Sequence, residues 1–135
     1  GKNFVEITST KDKNRKISDM KFTNDLRRAL VTNQIKVYYQ PIVSLQTNEI
    51  IGFEALSRWE HPKKGLISPD EFIPLAEDTG LILEIGYYMM EQAFKQLAIW
   101  QKTYVPSSGK PLSMNVNLSV SQLRADCLFV RLSLQ

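Results

Sequence analysis

The chain has 135 residues, of which 43% are hydrophobic and 23% charged, as expected of one soluble globular domain. A single cysteine, Cys127, and a single histidine, His61, exclude an internal disulfide framework, a His-based catalytic triad and a multi-His zinc site. The net charge is +3, and no apolar run is long enough to span a bilayer. We therefore expect a reducing, cytoplasmic location, although a longer protein could be membrane-anchored through other segments.

Positive charge is concentrated at the N-terminal end. Residues 1–36 hold nine Lys/Arg against four Asp/Glu, whereas residues 37–135 hold eight against ten. Nucleic-acid-binding proteins interleave basic and aromatic residues on one face, and this segment lacks that pattern. We expect residues 1–21 to form a solvated linker or arm and expect no nucleic-acid partner.

The first predicted elements are a helix over 23–32, capped by Asn33, and a strand over 36–43. Pro41 cannot donate a ladder hydrogen bond, so this strand should lie at a sheet edge or carry a bulge. From the pattern alone, Gln40 either lines a pocket or faces solvent.

A turn at 46–48 predicts that the next strand, 49–59, returns antiparallel. Its side chains alternate between two faces. One face is apolar and can pack on a helix: Ile51, Phe53, Ala55, Ser57 and Trp59. The other carries a carboxylate among mixed neighbours: Gly52, Glu54, Leu56 and Arg58. An ionised carboxylate is costly to bury without a cation, and Arg58 is roughly 13 Å along the strand, so we infer that Glu54 serves a group from outside.

Residues 61–65 are predicted to form a loop, followed by a strong helix start. Ser68 is the predicted cap, Pro69 occupies the first turn and Glu71 closes a capping box. Pro74 should distort this helix and Gly80 should end it.

A longer helix is predicted over 82–102, with an apolar stripe that indicates core packing, and a loop over 106–111. The next strand, 112–119, has an apolar face and an entirely polar one. The polar face consists of Ser113, Asn115, Asn117 and Ser119. It is either a water-facing surface or, on a covered parallel strand, a functional site. The tail, 120–135, has helical spacing at Leu123, Cys127 and Val130.

Several of these stretches resemble the EAL domain family of cyclic di-GMP phosphodiesterases in order and spacing. Glu54-Ala55-Leu56 is the tripeptide that gives the family its name. The matching stretches are 39–43, 52–59, 65–77, 80–82 and 117–119, within a resemblance over about residues 22–125.

The resemblance implies an α/β fold: a (β/α)8 TIM-like barrel with an antiparallel first strand. Such a barrel typically needs about 250 residues. We therefore expect residues 22–135 to be the N-terminal part of an EAL domain, a partial barrel truncated after about three strands. An open half-barrel exposes a sheet edge, which predicts self-association.

The resemblance also implies a site that hydrolyses cyclic di-GMP to the linear dinucleotide with two Mg²⁺ or Mn²⁺ ions. Glu54 and Asn117 match metal-ligand positions of the family, and their oxygen atoms suit hard cations. Arg58 matches the phosphate-binding arginine. Positions that line the nucleotide pocket are matched by Gln40, Leu56 and Pro74.

The family's later carboxylates and its active-site lysine have no counterpart here, since Asp126 is the one acid after Asn117. We expect this piece to be inactive alone and the longer protein to be the enzyme, with a sensory or diguanylate-cyclase-like domain upstream. Two alternatives stay open: a catalytically degenerate EAL domain that acts as a cyclic di-GMP receptor, and a signalling interaction module.

Overall fold

The structure is a computed structural model that describes residues 20–117 and 129–132. A first helix, α1, occupies residues 20–31 of this part. The other elements, in chain order, are β1 (Ile35–Val43), β2 (Ile50–His61), β3 (Gly65–Ile67), α2 (Pro69–Thr79), α3 (Ile82–Thr103), β4 (Ser113–Asn117) and β5 (Phe129–Leu132). Strands and helices thus form the mixed α/β arrangement that the sequence predicts.

All five strands belong to one sheet in the order β1-β2-β4-β5, with β3 paired to β2. β1 runs antiparallel to β2, whereas β4 runs parallel to it. The antiparallel first strand is therefore confirmed, and of the two alternatives for strand 112–119, β4 takes the parallel direction. β1 is an edge strand, as Pro41 predicts, and its register with β2 shifts between Ile42 and Val43.

The helices pack on one face of this sheet around two tryptophans. Trp59 is fully buried, stacks on Phe22 of α1 at 5.2 Å between ring centroids, and meets the ring edge of Phe72 of α2 at 6.0 Å. Trp100 of α3 stacks on Phe53 at 4.2 Å. The alternation predicted for β2 is thus confirmed, because Phe53 and Trp59 lie on the helix-covered face and Glu54 on the other.

The N-terminal helix is also fixed to the end of β2 by polar contacts. The Nε1 atom of Trp59 donates a hydrogen bond to Gln34 Oε1 at 3.0 Å. His61 Nε2 lies 3.6 Å from Asp25 Oδ2, and its Nδ1 accepts backbone N–H bonds from Lys63 and Lys64. α1, Gln34 and the end of β2 therefore form one packed corner.

Two predicted helix ends are confirmed by backbone geometry. Asn33 and Gly80 adopt left-handed conformations, with φ of 60° and 80°. These conformations end α1 and α2 because they break the helical hydrogen-bond pattern. Pro74 lies inside α2, which continues to Thr79.

Two local predictions are wrong. Ser68 is the N-cap of α2 with Pro69 in the first turn, but its side chain makes no capping hydrogen bond; the Glu71 N–H donates instead to the Ser68 carbonyl at 3.1 Å. The predicted loop at 61–65 is shorter, because β2 extends through His61 and the chain turns back into β3.

The tail also differs from the prediction. Residues 129–132 form β5, which pairs antiparallel with β4, so the helix predicted over 120–135 is wrong there, Val130 included. Leu123, Cys127 and strand residues 118 and 119 lie outside the described residues. So do residues 1–19 of the predicted arm, whereas residues 20 and 21 belong to α1. No helix in the described ranges is long and apolar enough to cross a membrane.

Candidate functional site

The face of the sheet opposite the helices carries a row of three polar residues on three adjacent strands. In the register, Glu54 of β2 pairs with Gln40 of β1 on one side and with Asn115 of β4 on the other. Paired residues of neighbouring strands point to the same face. A carboxylate therefore lies between two amides, on a face without a helix layer among the described elements.

Asn117 belongs to the same face, two residues beyond Asn115 along β4. With strands about 4.8 Å apart and a rise of about 3.3 Å per residue, its Cα lies about 8 Å from that of Glu54. Both residues are half-buried. The separation is within the span of two ligands in a compact two-ion cluster.

The remaining predicted contacts on β2 lie further along the same face. Leu56 pairs with Tyr38 and is half-buried, and Arg58 pairs with Lys36. Arg58 donates one hydrogen bond, to the Ser57 carbonyl at 2.8 Å. In the described part of the chain it has no acidic side chain within 4.0 Å. Its guanidinium therefore keeps donors for an incoming anion.

Pro74 stands apart from these residues. It is exposed on α2, a helix that packs through Phe72 against Trp59 on the opposite side of the sheet. Of the predicted site residues, the sheet thus brings together Gln40, Glu54, Leu56, Arg58 and Asn117, and it leaves Pro74 on the helix layer.

Sequence reasoning assigned no role to Tyr38 and Glu60, which also lie on this face. The Tyr38 hydroxyl donates a hydrogen bond to Glu60 Oε1 at 3.0 Å, and the Arg58 guanidinium carbon lies 5.9 Å from the centre of the Tyr38 ring. This hydrogen bond, followed by lost hydration and the charge of Glu60, raises the pKa of Tyr38, and the nearby Arg58 opposes the shift. Period-two alternation would have placed both residues on the Glu54 face.

The donor set fits part of a hard-cation site. Glu54 accepts no hydrogen bond from the residues that the structure describes, so its oxygens are available to a cation. Glu54 and Asn117 offer oxygen donors, the type that Mg²⁺ and Mn²⁺ prefer. Within the same residues no three His, Cys, Asp or Glu side chains come together to hold a metal ion. Two donors are fewer than such ions require, so further ligands would be needed.

The sequence profile of the EAL domain matches residues 23–134, most of the chain. The chain belongs to the EAL domain family. Its relatives include the bifunctional diguanylate cyclase/cyclic di-GMP phosphodiesterase MucR of Pseudomonas aeruginosa, 47% identical over 81 residues. That alignment covers 60% of this chain and 12% of MucR.

The fold of the chain also matches solved structures of EAL domains. The MucR phosphodiesterase in complex with c-di-GMP superposes with a TM-score of 0.67 at 40% identity, over 78% of this chain and 41% of that one. The cGMP-bound EAL enzyme Bd1971 superposes with a TM-score of 0.72 at 29% identity, over 85% of this chain and 32% of the Bd1971 chain. This EAL chain therefore spans less than half of either solved structure, which agrees with a partial TIM-like barrel.

Proposed function

We propose that this EAL chain is the N-terminal part of a cyclic di-GMP phosphodiesterase domain that hydrolyses one phosphodiester to give linear pGpG. The observation that carries the proposal is the polar face of the sheet, on which Glu54, Asn117 and Arg58 lie together. MucR, to which the chain is similar, is named a cyclic di-GMP phosphodiesterase, and its structure contains c-di-GMP.

Glu54 and Asn117 are the proposed ligands of Mg²⁺ or Mn²⁺. When bound, two such ions would activate a water molecule and stabilise the leaving oxygen. Since Glu54 and Asn117 supply only part of the ligand set, we infer that activity depends on carboxylates outside this chain and that residues 1–135 are inactive alone. This face would then contribute one side of the active site.

The substrate contacts follow from the chemistry of the side chains. The planar fork of Arg58 suits two phosphate oxygens, and the described residues place no acidic side chain within 4.0 Å of it, which supports that role. Gln40 and Leu56 would line the nucleotide pocket beside it. Pro74 would contribute from α2, and its position on the helix layer makes it the least supported member of the set.

Three features of the whole protein belong to the same proposal. MucR also carries a diguanylate cyclase activity in its name, which supports a sensory or cyclase-like domain upstream of this chain. The edge strand β1 supports self-association. The single cysteine suits a reducing compartment and so supports a cytoplasmic location.

The test uses the full natural protein that carries this chain. Calorimetry with Mn²⁺ and cyclic di-GMP, followed by product analysis, separates the candidates. Turnover to the linear dinucleotide supports the enzyme, binding without turnover indicates a receptor, and no binding indicates an interaction module.

Glu54→Gln sharpens this test. The substitution keeps the size of the side chain and removes its charge, so it should abolish hydrolysis while the melting temperature changes little. The matched control is Glu84→Gln, at an exposed position on α3. Normal turnover in Glu54→Gln would show that Glu54 is not a metal ligand.

A further inference from the structure

The side chain of Tyr38 extends along the direction of β2 and does not point straight across to its paired residue. Its Cα pairs with Leu56, yet its hydroxyl reaches the carboxylate of Glu60, four residues further along that strand. Four residues of strand span about 13 Å, so the ring must extend along β2 and pass the position between them. That position is Arg58, and its guanidinium carbon indeed lies 5.9 Å from the ring centre.

This arrangement decides which partner Glu60 has. Arg58 and Glu60 are two residues apart on the same face, close enough for their long side chains to meet. They are not within 4.0 Å of one another, although both are charged. Glu60 instead accepts the Tyr38 hydroxyl at 3.0 Å, and the aromatic face of Tyr38 lies near Arg58.

We propose that Tyr38 is a positioning residue that holds the Glu60 carboxylate away from Arg58 and so keeps the guanidinium available for a phosphate of the ligand. The proposal rests on the proposed function, since it takes Arg58 as the phosphate contact. It adds two residues, Tyr38 and Glu60, which act through Arg58 and need not touch the nucleotide.

The experiment measures the affinity of the full natural protein for cyclic di-GMP by calorimetry, with EDTA present so that the ligand is not hydrolysed. Tyr38→Phe keeps the ring and removes the hydroxyl, which frees Glu60 to pair with Arg58. An exposed ion pair of ordinary strength would then compete with the phosphate and weaken binding about three- to fivefold. Added salt should shrink this penalty because it screens the pair.

A rescue variant separates positioning from a general structural effect. Tyr38→Phe combined with Glu60→Gln removes the competing charge, so its affinity should return to that of the natural protein. Tyr39→Phe is the matched control, because Tyr39 faces the helix layer and packs edge-on against Trp100 at 5.1 Å. Melting temperatures of all variants report whether the fold is kept.

Arg58→Ala shows whether a negative result contradicts the phosphate role of Arg58 or only the positioning role of Tyr38. If Arg58→Ala binds as tightly as the natural protein, or if the natural protein binds cyclic di-GMP neither with EDTA nor with Mn²⁺, the phosphate role of Arg58 is wrong and this proposal is wrong with it. If Arg58→Ala weakens binding but Tyr38→Phe does not, or if Glu60→Gln does not restore affinity, only the positioning role is overturned. Tyr38→Phe should have no effect in an Arg58→Ala background.

Discussion

Gly52 of β2 and Ser113 of β4 approach each other so closely that no side chain fits between them. A Cβ placed on Gly52 would meet the Ser113 hydroxyl and lie 2.8 Å from the Ser113 carbonyl oxygen. The two residues pair in the parallel register, two positions before Glu54 and Asn115. This close approach lies in the two strands that carry the proposed metal ligands, Glu54 and Asn117.

Gly52→Ala should destabilise the domain by about 1–3 kcal/mol, because the added methyl group forces β2 and β4 apart. Urea unfolding of the natural protein measures the change. Ser113→Ala is the control, since it removes the hydroxyl but leaves the strands in place, and we expect it to be nearly neutral. Unchanged stability in Gly52→Ala would mean that the strands are further apart than the structure indicates.

Trp59→Ala should lower the free energy of unfolding by about 3–5 kcal/mol, the usual range for removing a buried aromatic residue. Trp59 is fully buried between α1 and α2, and its loss also leaves Gln34 without the indole donor. The same urea experiment on Tyr87→Ala provides the comparison, because Tyr87 is 74% exposed on α3 and should change stability by less than about 1 kcal/mol. Similar losses of stability for Trp59→Ala and Tyr87→Ala would contradict the burial of Trp59 in the core.

Glu49 provides a pH-dependent contact between the β1–β2 turn and the loop before β4. The hydroxyl and N–H of Ser107 donate to Glu49 Oε2 at 2.6 Å and 3.2 Å, and they hold the pKa of Glu49 below its ordinary value. A carboxyl group with a lowered pKa stabilises the fold above its unfolded pKa, about 4.3 for Glu, and loses this effect as the pH falls through the folded pKa.

Ser107→Ala should therefore raise the pKa of Glu49 towards that ordinary value and flatten the acid dependence of stability. NMR titration of the Glu49 carboxyl carbon measures the pKa directly. Ser108→Ala is the control, because Ser108 bonds to Lys110 and not to Glu49. A pKa that is the same in both variants would show that Ser107 does not cause the shift.

Asn117→Ala should lower the affinity of the full protein for Mn²⁺ by about tenfold or more, because even residues that only orient metal ligands have effects of this size. Asn117→Asp keeps an oxygen donor and should retain binding. Asn115→Ala tests the neighbouring amide, which flanks Glu54 without a proposed bond to the metal. Calorimetric titration with Mn²⁺ measures all three, and an equal loss for both alanine variants would contradict the assignment of Asn117.

Much of the sheet could be predicted from local signals. The turn at 46–48 and the alternation of β2 predicted the hairpin and the face of Glu54. The polar alternation of β4 likewise placed Asn115 and Asn117 on one face. These predictions succeeded because strand periodicity fixes the direction of each side chain once pairing is known.

The failures have a common physical reason: each missed strand is short, carries little strand signal of its own and forms by pairing with the strand before it. β3 has three residues, begins at Gly65 and closely follows Pro62, two residue types that are typical of a loop; it forms because β2 extends far enough to pair with it. The short apolar run in β5 has no decisive period, and it becomes a strand by pairing antiparallel with β4, the strand before it.

Side-chain direction limited the prediction of the site itself. Period-two alternation assigns Tyr38 to the Glu54 face but does not say that its ring runs along β2 to Glu60. That direction depends on the rotamer and on which hydrogen-bond partner is within reach. The predicted site was therefore a set of residues, and the structure adds the contacts between them.

The reversed first strand has a consequence for how signals could enter the protein. Because β1 runs against β2, the helix before it packs beside the last residues of β2, where Phe22 stacks on Trp59 and Asp25 faces His61. A parallel first strand would have put α1 at the far end of the sheet. If the proposed upstream domain acts on α1, a displacement of this helix would reach Trp59 directly, and Trp59 is the residue next to Arg58 on β2.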